Sequence, residues 1–525
     1  MSQEETKPAK PPSLFRNYIS LTGTVVAIAC AACIVLLFLM ELLGNHGSPY
    51  LGIFTYIIFP TVLVMALFVI PIGAFSERRR RRKLAPGEIA AYPKLDLNDP
   101  HKRKMFFVFL GASFMFIFVS AFGSYKAFQY TEEVSFCGQT CHTPMKPEFT
   151  AYLASPHARV RCVDCHVGEG AGWYVRSKIS GAYQLYSVTF NKYSRPIKSP
   201  VHNLRPAPET CEQCHWPEKF FGAQMKTFNH YAYDEKNSLR QTRMLINVGG
   251  GSPATGQVAG IHWHMNIANE ITYISTDEQR QSIPWVRIKD RTGRVTEYMD
   301  RNKQLTTDQL NHLPSRRMDC VDCHNRPAHI YLPPDVALDQ AFFANRLDVS
   351  LPFLKRETAA AISDKYSTTD QALNAISSRL DTFYKNSYPA IYSEKRDAIR
   401  SAITETQRIF QTYTFPEMNT NFQTHPNNIG HLYSQGCFRC HDGEHVSSTG
   451  QVIRNDCNIC HTVIYDSAAR ESAFKLGSFQ HPVDLGALGD RKCTFCHKGN
   501  KPFQHPVNLG DISQFQCVEC HPKKK

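Results

Sequence analysis

Three long apolar runs near the N-terminus dominate the pattern of hydrophobic and polar positions. They cover 18–43, 51–75 and 105–122 of the 525 residues and are almost free of charged side chains. A helix needs about 20 apolar residues to cross a bilayer, so the pattern predicts three transmembrane helices. The first run is too long for a cleaved signal peptide. We therefore expect a short N-terminus, 1–17, and a membrane anchor, 18–128.

Beyond the anchor, apolar and polar residues alternate as they do in half-buried strands. Within 218–316, alternation is seen in 271–275, 285–289 and 294–298, and the sequence Asp290-Arg-Thr-Gly293 joins the last two segments. Alternating segments around such a turn predict a β-hairpin, here inside a β-rich insert.

A second insert, 335–415, has helical spacing. Its apolar positions recur three and four residues apart, as in Ala372, Leu373, Ile376, Leu380 and Phe383, which predicts an amphipathic helix. Asp370 lies within reach of the N-cap position of this helix. We interpret the two inserts as covers for cofactor edges or as a docking surface, with a plain scaffold as the alternative.

The charge pattern predicts the orientation in the membrane. The loop 77–104 contains the basic runs 78–83 and 102–104, whereas 44–50 has no lysine or arginine. The positive-inside rule places this loop and the N-terminus in the cytoplasm, and the chain after about residue 123 in the periplasm of a bacterial inner membrane. A basic run between two spans favours membrane topology over nucleic-acid binding, although the net charge is +13. No nucleic-acid partner is expected.

Sixteen of the 18 cysteines form pairs that a histidine follows directly. In such motifs the two thiols form thioethers with haem and the histidine binds the iron. Seven pairs are Cys-x-x-Cys-His and the first has one extra residue, which predicts eight haems c at Cys137/Cys141/His142, Cys162/Cys165/His166, Cys211/Cys214/His215, Cys320/Cys323/His324, Cys437/Cys440/His441, Cys457/Cys460/His461, Cys493/Cys496/His497 and Cys517/Cys520/His521. Cys30 and Cys33 remain and are interpreted as residues of the first membrane helix.

Histidines recur at a fixed offset in the C-terminal tail, 416–525. In all four tail motifs a histidine stands twelve residues before the first cysteine: His425, His445, His481 and His505. We interpret these four as the second axial ligands of the tail haems, because low-spin electron-transfer haems need a second axial group. The offset leaves open which haem each histidine serves, and His431 competes with His425.

The ligands of the first four haems, in the tetrahaem module 129–334, are less regular. His157, His202 and His329 are predicted to complete haems two to four, with His230, His262, His264 and His312 as rivals that are more commonly core histidines. Met145 follows His142 closely and is predicted to ligate haem one. Ligation by its thioether would raise the potential of this haem relative to ligation by two histidines. The alternative for Met145 is an apolar filler.

The stretch from Cys137 to about residue 218 resembles a known family. The segments Cys137-Gly-Gln-Thr-Cys-His-Thr-Pro-Met145, Ser155–His166 and Pro208–Trp216 are similar to the NapC/NirT-type membrane-anchored multihaem quinol dehydrogenases. The resemblance implies that Met145 ligates haem one and that Lys178 lies at the quinol pocket.

Two features depart from that family. Its members usually have one anchor helix, whereas three are predicted here. They also carry an acidic residue near haem one, but 174–193 contains no Asp or Glu. Gln184, Glu132 and Glu133 are the substitutes considered for the proton acceptor.

The whole layout resembles the inner-membrane multihaem cytochromes of metal-reducing bacteria, the inner membrane cytochrome H type. The resemblance implies a membrane-anchored multihaem c-type cytochrome whose periplasmic region is low in regular secondary structure apart from the two inserts. It also implies that electrons pass from menaquinol to periplasmic c-type cytochromes in anaerobic or extracellular respiration. A terminal reductase acting on nitrite, hydroxylamine or a sulfur oxyanion is the alternative, and a scaffold docking a separate reductase is a third. No separate substrate-converting site is evident, so enzyme status is left open.

The motif count predicts eight covalent haems per chain. The intact mass of the holoprotein should exceed that of the polypeptide by eight haems, because each cysteine pair forms its own thioether attachment. The double variant Cys137→Ala/Cys141→Ala should carry seven, whereas the control Cys30→Ala/Cys33→Ala should still carry eight. A mass of seven haems in the unaltered protein would remove the first site.

Overall fold

The fold is described from a computed structural model. It describes residues 13–43, 58–82, 96–140, 142–167, 171–201, 204–220, 222–249, 260–265, 269–290 and 292–467. These residues fall into two compact units. The first unit comes from Met1–Glu133 and His166–Gln184, and the second from Val134–Cys165 and Leu185–Lys525.

Long helices build the first unit, with bounds Tyr18–Leu43, Phe59–Arg81 and Pro100–Thr131. The first two pack closely through small residues, as is common for helices in a membrane. The Ser20 hydroxyl donates to the Ile70 carbonyl oxygen at 2.8 Å. A Cβ at Gly73 would lie 2.4 Å from Ser20 Oγ, so the helices can approach this closely only with glycine there.

Two of the described helices are long and apolar enough to cross a membrane, in the segments Tyr18–Leu37 and Phe59–Arg81. The second begins later than the predicted 51–75 and continues into the basic run, while 51–57 lie outside the described residues. The third predicted span, 105–122, falls within the helix Pro100–Thr131, but most of its side chains lie outside the described residues. The structure thus supplies two candidate spans, and a third stays a prediction.

Two antiparallel sheets form much of the second unit, with strands β1 Gln224–Tyr231, β2 Leu239–Ile246, β3 Glu270–Ile274, β4 Trp285–Lys289, β5 Val295–Asp300, β6 Ser315–Arg317, β7 His445–Ser447 and β8 His461–Asp466. The three-stranded sheet has the order β1-β2-β8, and the five-stranded sheet β6-β3-β4-β5-β7. Strands β7 and β8 come from the tail, so both sheets extend beyond the predicted insert.

The predicted hairpin is confirmed. Strands β4 and β5 pair in register from Trp285↔Met299 to Lys289↔Val295. The turn forms because the Asp290 carboxylate accepts from the backbone N–H groups of Thr292 and Arg294 at 2.8 and 3.1 Å. Gly293 follows with a φ of 83°, a value that favours glycine.

The helical insert is also confirmed and contains the largest apolar core among the described residues. Its helices are Pro334–Phe343, Leu354–Ser363, Thr369–Ser387, Pro389–Glu394 and Arg396–Tyr413. The predicted amphipathic face is buried at Ala372, Ile376 and Leu380. The N-cap of that helix is Thr368, whose hydroxyl accepts from the Gln371 N–H at 3.2 Å. The expected cap, Asp370, instead lies in the first turn, two residues too late.

Shorter helices carry or flank the cysteine motifs. The α-helices are His142–Leu153, Cys162–His166, Ala171–Thr189, Ala207–Thr210, Thr307–His312 and Cys320–Cys323. Single 3-10 turns comprise Cys211–Gln213, Pro217–Lys219, Ile261–Met265, Pro416–Met418, Gly436–Arg439 and Cys457–Ile459, and a π-turn spans Phe136–Thr140.

A buried ion pair joins two helices of the insert. Lys355 is 2% exposed, and its Nζ donates to Asp339 Oδ1 at 2.5 Å. Lys355→Met should lower the free energy of local unfolding by about 3–5 kcal/mol, because it leaves the carboxylate buried without its cation. Hydrogen exchange of Pro334–Phe343 and Leu354–Ser363 in the full-length protein measures this. Arg400→Met, from an exposed pair with Asp397, should cost less than about 1 kcal/mol; equal effects would show that Lys355 is not needed.

Candidate haem-ligand sites

One turn of helix presents both thiols and the histidine of a motif. In the third, fourth and fifth motifs, the backbone N–H of the histidine donates to the carbonyl oxygen of the first cysteine, at 2.8, 2.8 and 3.0 Å for His215, His324 and His441. Residues three and four apart on a helical turn lie on the same face. The spacing Cys-x-x-Cys-His therefore directs three haem-binding groups to one side of the chain.

The second cysteines of motifs two and three differ in exposure from the other described motif thiols. Cys165 and Cys214 are exposed, whereas the first cysteines of the same motifs, Cys162 and Cys211, are half-buried. The Cys214 N–H donates to the Cys211 carbonyl oxygen at 3.1 Å. The helical turn of the backbone, rather than packing around the side chain, therefore positions this thiol. The polypeptide alone thus provides no enclosed site at Cys165 or Cys214 in the part of the chain that is described. Their attachment to haem stays a prediction that rests on the motif.

The first motif is shaped by its glycine. A Cβ at Gly138 would lie 2.2 Å from Cδ2 of Phe149, so a larger residue in this π-turn would displace the Phe149 ring. The Phe149 ring belongs to the helix His142–Leu153, which also carries a half-buried Met145. Cys141 lies outside the described residues.

The fourth motif is held by a buried carboxylate. Asp322, between Cys320 and Cys323, is 2% exposed. Its Oδ1 accepts from the Tyr273 hydroxyl at 2.7 Å and from Arg280 and Arg316, each at 2.9 Å. Burial and then this carboxylate raise the pKa of Tyr273 well above its usual value, so the hydroxyl stays protonated and donates.

A buried arginine holds the fifth motif against the fourth. Arg439, between Cys437 and Cys440, donates through Nη2 to the Asp322 carbonyl oxygen at 2.7 Å. Its Nη1 donates to the Arg280 carbonyl oxygen at 2.9 Å. The two motifs are therefore fixed to each other although more than a hundred residues of sequence separate them.

Successive motifs also lie close enough for their thiols to influence one another. A hydrogen bond with Cys137 is the main cause that lowers the pKa of Cys162 to about 7. Burial raises the pKa values of Cys165 and Cys320, and the nearby thiol of Cys211 contributes to both shifts. Burial likewise raises the pKa values of Cys323 and Cys460, and the nearby thiol of Cys437 contributes to both. Each of the first six motifs thus lies near the next one in the sequence.

Four pairs of histidine rings lie at the separation that a shared metal ion requires. A bond between a metal and an imidazole nitrogen measures about 2.0–2.1 Å, so two imidazoles on opposite sides of one metal hold their centroids about 6 Å apart. The rings of His157 and His215 are 6.1 Å apart, and those of His262 and His324 are 6.3 Å apart.

The fifth and sixth motifs show the same separation. The centroid of His264 lies 5.7 Å from that of His441, and the centroid of His431 lies 6.1 Å from that of His461. Each pair thus joins the histidine of one motif to a histidine from elsewhere in the second unit. The donor set fits bis-imidazole haem at motifs three to six.

Hydrogen bonds orient the outer rings. Nδ1 of His157 bonds to the Pro327 carbonyl oxygen at 3.0 Å, that of His262 to Val248 at 3.0 Å and that of His264 to Ile261 at 2.6 Å. A metal-bound histidine characteristically donates its other N–H to such an acceptor, leaving Nε2 for the metal. Burial lowers the pKa of His264 to about 4, which favours the neutral ring that a metal ligand needs.

The structure pairs the motif histidines differently from the sequence-based scheme. His157, expected at haem two, lies opposite His215 of the third motif. The rivals His262 and His431 lie opposite the fourth and sixth motif histidines, and His264 lies opposite the fifth. Each of these ligand assignments stays a prediction.

His445 differs from these rings, because both of its ring nitrogens contact acceptors of the protein. It is fully buried, its Nδ1 lies 3.0 Å from Asp442 Oδ1, and its Nε2 lies 2.7 Å from the Ile283 carbonyl oxygen. Burial opposes protonation, but the Asp442 carboxylate prevails and raises the pKa of His445. A ring that donates from both nitrogens has no lone pair for iron. The structure therefore gives no support to His445 as a ligand, despite its place in the twelve-residue offset.

His425 is also buried, but its ring lacks such contacts among the described residues. It is 2% exposed, and neither ring nitrogen has a hydrogen-bond partner among the described residues. Burial lowers its pKa to about 4. Nearby, Arg326 is buried, and its Nε has no hydrogen-bond partner in the described part of the chain. His329 bonds through Nδ1 to the Glu148 carbonyl oxygen at 3.0 Å. Unpaired buried polar atoms need a partner, and an iron with a haem propionate would satisfy this group.

The roles of the other predicted site residues stay predictions, and their positions are as follows. Nζ of Lys178, an exposed side chain on the helix Ala171–Thr189, donates to Thr131 Oγ1 at 3.3 Å. Gln184, also exposed, donates to Ser180 Oγ at 3.2 Å. His230 contacts Asp339 and His312 is exposed. Outside the described residues lie His202, His481, His497, His505, His521, Cys493, Cys496, Cys517 and Cys520.

These motifs and paired imidazoles define the class of protein, a membrane-anchored multihaem c-type cytochrome of electron transport. Residues 99–209 match the NapC/NirT cytochrome c family, N-terminal region. The chain is 42% identical over 483 residues to cytochrome c-type protein ImcH of Geobacter sulfurreducens, covering 92% of this chain and 95% of that protein. The chain belongs to this family of c-type cytochromes, and the resemblance inferred from its motifs is confirmed. No solved structure matches the chain.

The buried position of Asp322 predicts a difference between two motifs of identical sequence, Cys-Val-Asp-Cys. Asp322→Asn should make the five-stranded sheet less stable by about 3–5 kcal/mol, because Arg280 loses its buried counter-charge and Arg316 keeps only Asp319. Asp164→Asn should cost less than about 1 kcal/mol, since Asp164 is exposed and pairs only with Arg161 among the contacts described. Limited proteolysis, with cleavage sites mapped by mass spectrometry, compares them. Equal protection in both variants would refute the role of Asp322.

Proposed function

We propose that this cytochrome oxidises menaquinol at the inner membrane and passes the electrons along its haems to periplasmic c-type cytochromes. The observation that carries the proposal is that consecutive haem motifs lie near one another in a chain of the NapC/NirT family. Neighbouring haems can pass electrons from one iron to the next, and this transfer requires no chemical conversion of a bound substrate. The histidines of motifs three to six each face a second imidazole, which favours electron transfer over the terminal reductase, whose iron needs an open position.

The chemistry requires one entry site and at least two haems. Menaquinol releases two electrons and two protons when it becomes menaquinone, and each ferric haem takes one electron. Haems one and two would take the first pair, and the thiols of Cys137 and Cys162 are in hydrogen-bond contact. The protons leave to a base and then to the periplasm, with Gln184, Glu132 and Glu133 as the groups considered for this relay.

The helix Ala171–Thr189 has the surface expected near a lipid-soluble donor. Its apolar side chains Val175, Ile179 and Tyr183 recur every four residues and are exposed. Lys178 stands beside this stripe. An ammonium group next to a quinol oxygen would stabilise negative charge as the proton leaves, while the apolar stripe would accept an isoprenoid chain.

The proposed topology completes the scheme. Three spans, with the basic loop 77–104 in the cytoplasm, would place the chain after the anchor in the periplasm. Eight haems c, with Met145 at haem one and the tail as the exit, would then connect the membrane surface to soluble acceptors. The module 129–334, the helical insert 335–415 and the tail 416–525 are proposed as successive parts of this path.

Rapid-mixing reduction by a menaquinol analogue tests the entry site. Lys178→Ala should slow haem reduction by quinol roughly 10²-fold, as expected for the loss of one group that stabilises developing charge. Dithionite should still reduce every haem, and the control Lys192→Ala, whose exposed ammonium bonds to the Tyr186 hydroxyl, should react at the unaltered rate.

Two outcomes would contradict the proposal at different levels. Unchanged quinol kinetics in Lys178→Ala would reject this lysine but leave the electron path intact. An unaltered protein that quinol cannot reduce, although dithionite reduces it fully, would overturn quinol oxidation itself.

A further inference from the structure

We infer that one short segment, Ile261–Met265, supplies the second axial ligand to two neighbouring haems. His262 would complete haem four opposite His324, and His264 would complete haem five opposite His441. The inference deepens the proposed electron path and rests on haem at these two motifs, but it does not depend on the electron donor. Neither histidine belongs to a motif, and no regular offset in the sequence marks them.

The ring geometry carries this assignment. The two centroid separations, 6.3 Å and 5.7 Å, match two imidazoles on one iron. Both rings are turned by Nδ1 contacts to carbonyl oxygens of Val248 and Ile261, so each keeps Nε2 for the metal.

The segment is held from two sides. Backbone N–H groups of Ile261 and His262 donate to the carbonyl oxygens of Asn247 and Val248 at 2.9 and 3.1 Å. Trp263, between the two histidines, packs against the apolar core of the five-stranded sheet. A short helical turn fixed in this way can present two rings to two sites without changing its own conformation.

Close backbone approach fixes the entry to the segment. Gly260 has a φ of 107°, and a Cβ there would lie 2.7 Å from Gly249 Cα. The position therefore admits only glycine without displacing the chain. The Asn247 N–H in turn donates to the Cys460 carbonyl oxygen at 2.8 Å, so the same strand end reaches the sixth motif.

The assignment would connect the two groups of haem motifs along the chain, motifs one to four and motifs five to eight. Motif four ends the first group and motif five begins the second, with the helical insert between them in the sequence. One ligand segment shared by both haems would fix their spacing independently of that insert. Electron transfer between the two groups would then depend on Ile261–Met265.

The two haems should be distinguishable by EPR spectroscopy of the oxidised protein. The ring planes of His262 and His324 are 2° apart, whereas those of His264 and His441 are 89° apart. Axial ligand identity and orientation set the electronic properties of haem iron. Near-parallel planes give a rhombic low-spin signal, and near-perpendicular planes give a signal of much larger anisotropy.

Single variants test each ligand separately. His262→Gly should remove one rhombic signal and His264→Gly one highly anisotropic signal, each replaced by a high-spin signal of one haem. The covalent haem count by intact mass should not change, because the cysteines remain. Added imidazole should restore the low-spin signal in both variants. The control His312→Gly removes an exposed histidine whose Nδ1 also contacts a carbonyl oxygen and should leave the spectrum unchanged.

Further variants separate ligation from a structural role. His262→Met and His264→Met should show the charge-transfer band of thioether-bound ferric haem and a raised potential for one haem each. Gly260→Ala keeps both histidines but should disturb both signals together. Unchanged low-spin signals in the glycine variants would overturn the assignment, as would high-spin haem that imidazole does not restore. Quinol kinetics plays no part in these readouts, so failure here leaves the donor proposal standing.

Discussion

The side chain of Asp322 connects the chemistry of the motifs to the fold. A carboxylate in the middle of a haem motif is buried, and three side chains from the five-stranded sheet and its loops donate to it. Without this charge, Arg280 would lose its carboxylate partner and Arg316 would keep only Asp319, at a cost on the order of 3–5 kcal/mol. Its backbone carbonyl also receives Arg439. This residue thus ties motif four to the sheet through its side chain and contributes, through its backbone carbonyl, to holding motif five against motif four.

The apolar core is distributed unevenly around these polar contacts. The large cluster of buried side chains belongs to the helical insert, whereas the sheet around Tyr273 has a small one. The described motifs instead contain half-buried cysteines and, at Cys165 and Cys214, exposed ones. Haem is a large apolar group, and its burial would supply the hydrophobic contacts that the polypeptide itself does not provide there. The ion pairs and backbone contacts can hold the motifs in place while the cofactor forms the core.

Local patterns in the sequence predicted the elements whose cause is local. The hairpin follows from alternation and from Asp290 and Gly293, and the amphipathic helix follows from its apolar spacing. The pairing of β7 and β8 with strands of the insert could not be predicted, because these contacts join residues far apart in sequence. The N-cap was misplaced by two residues because Thr368 and Asp370 are both suitable capping residues, and only the backbone conformation decides between them.

Histidine roles show the same limit more sharply. The twelve-residue offset treated His425 and His445 alike. Yet the nitrogens of buried His425 have no hydrogen-bond partner among the residues that the structure describes, whereas His445 is held by two acceptors. What distinguishes a ligand from a structural histidine is the environment of its second nitrogen, which no spacing encodes. In the proposed assignment His262 and His264 would be the positive case, because one carbonyl contact holds each ring and would leave the remaining nitrogen for iron. A repeated motif therefore predicts where haem is attached, whereas a candidate second ligand can be named only when the fold shows which groups lie beside each histidine ring.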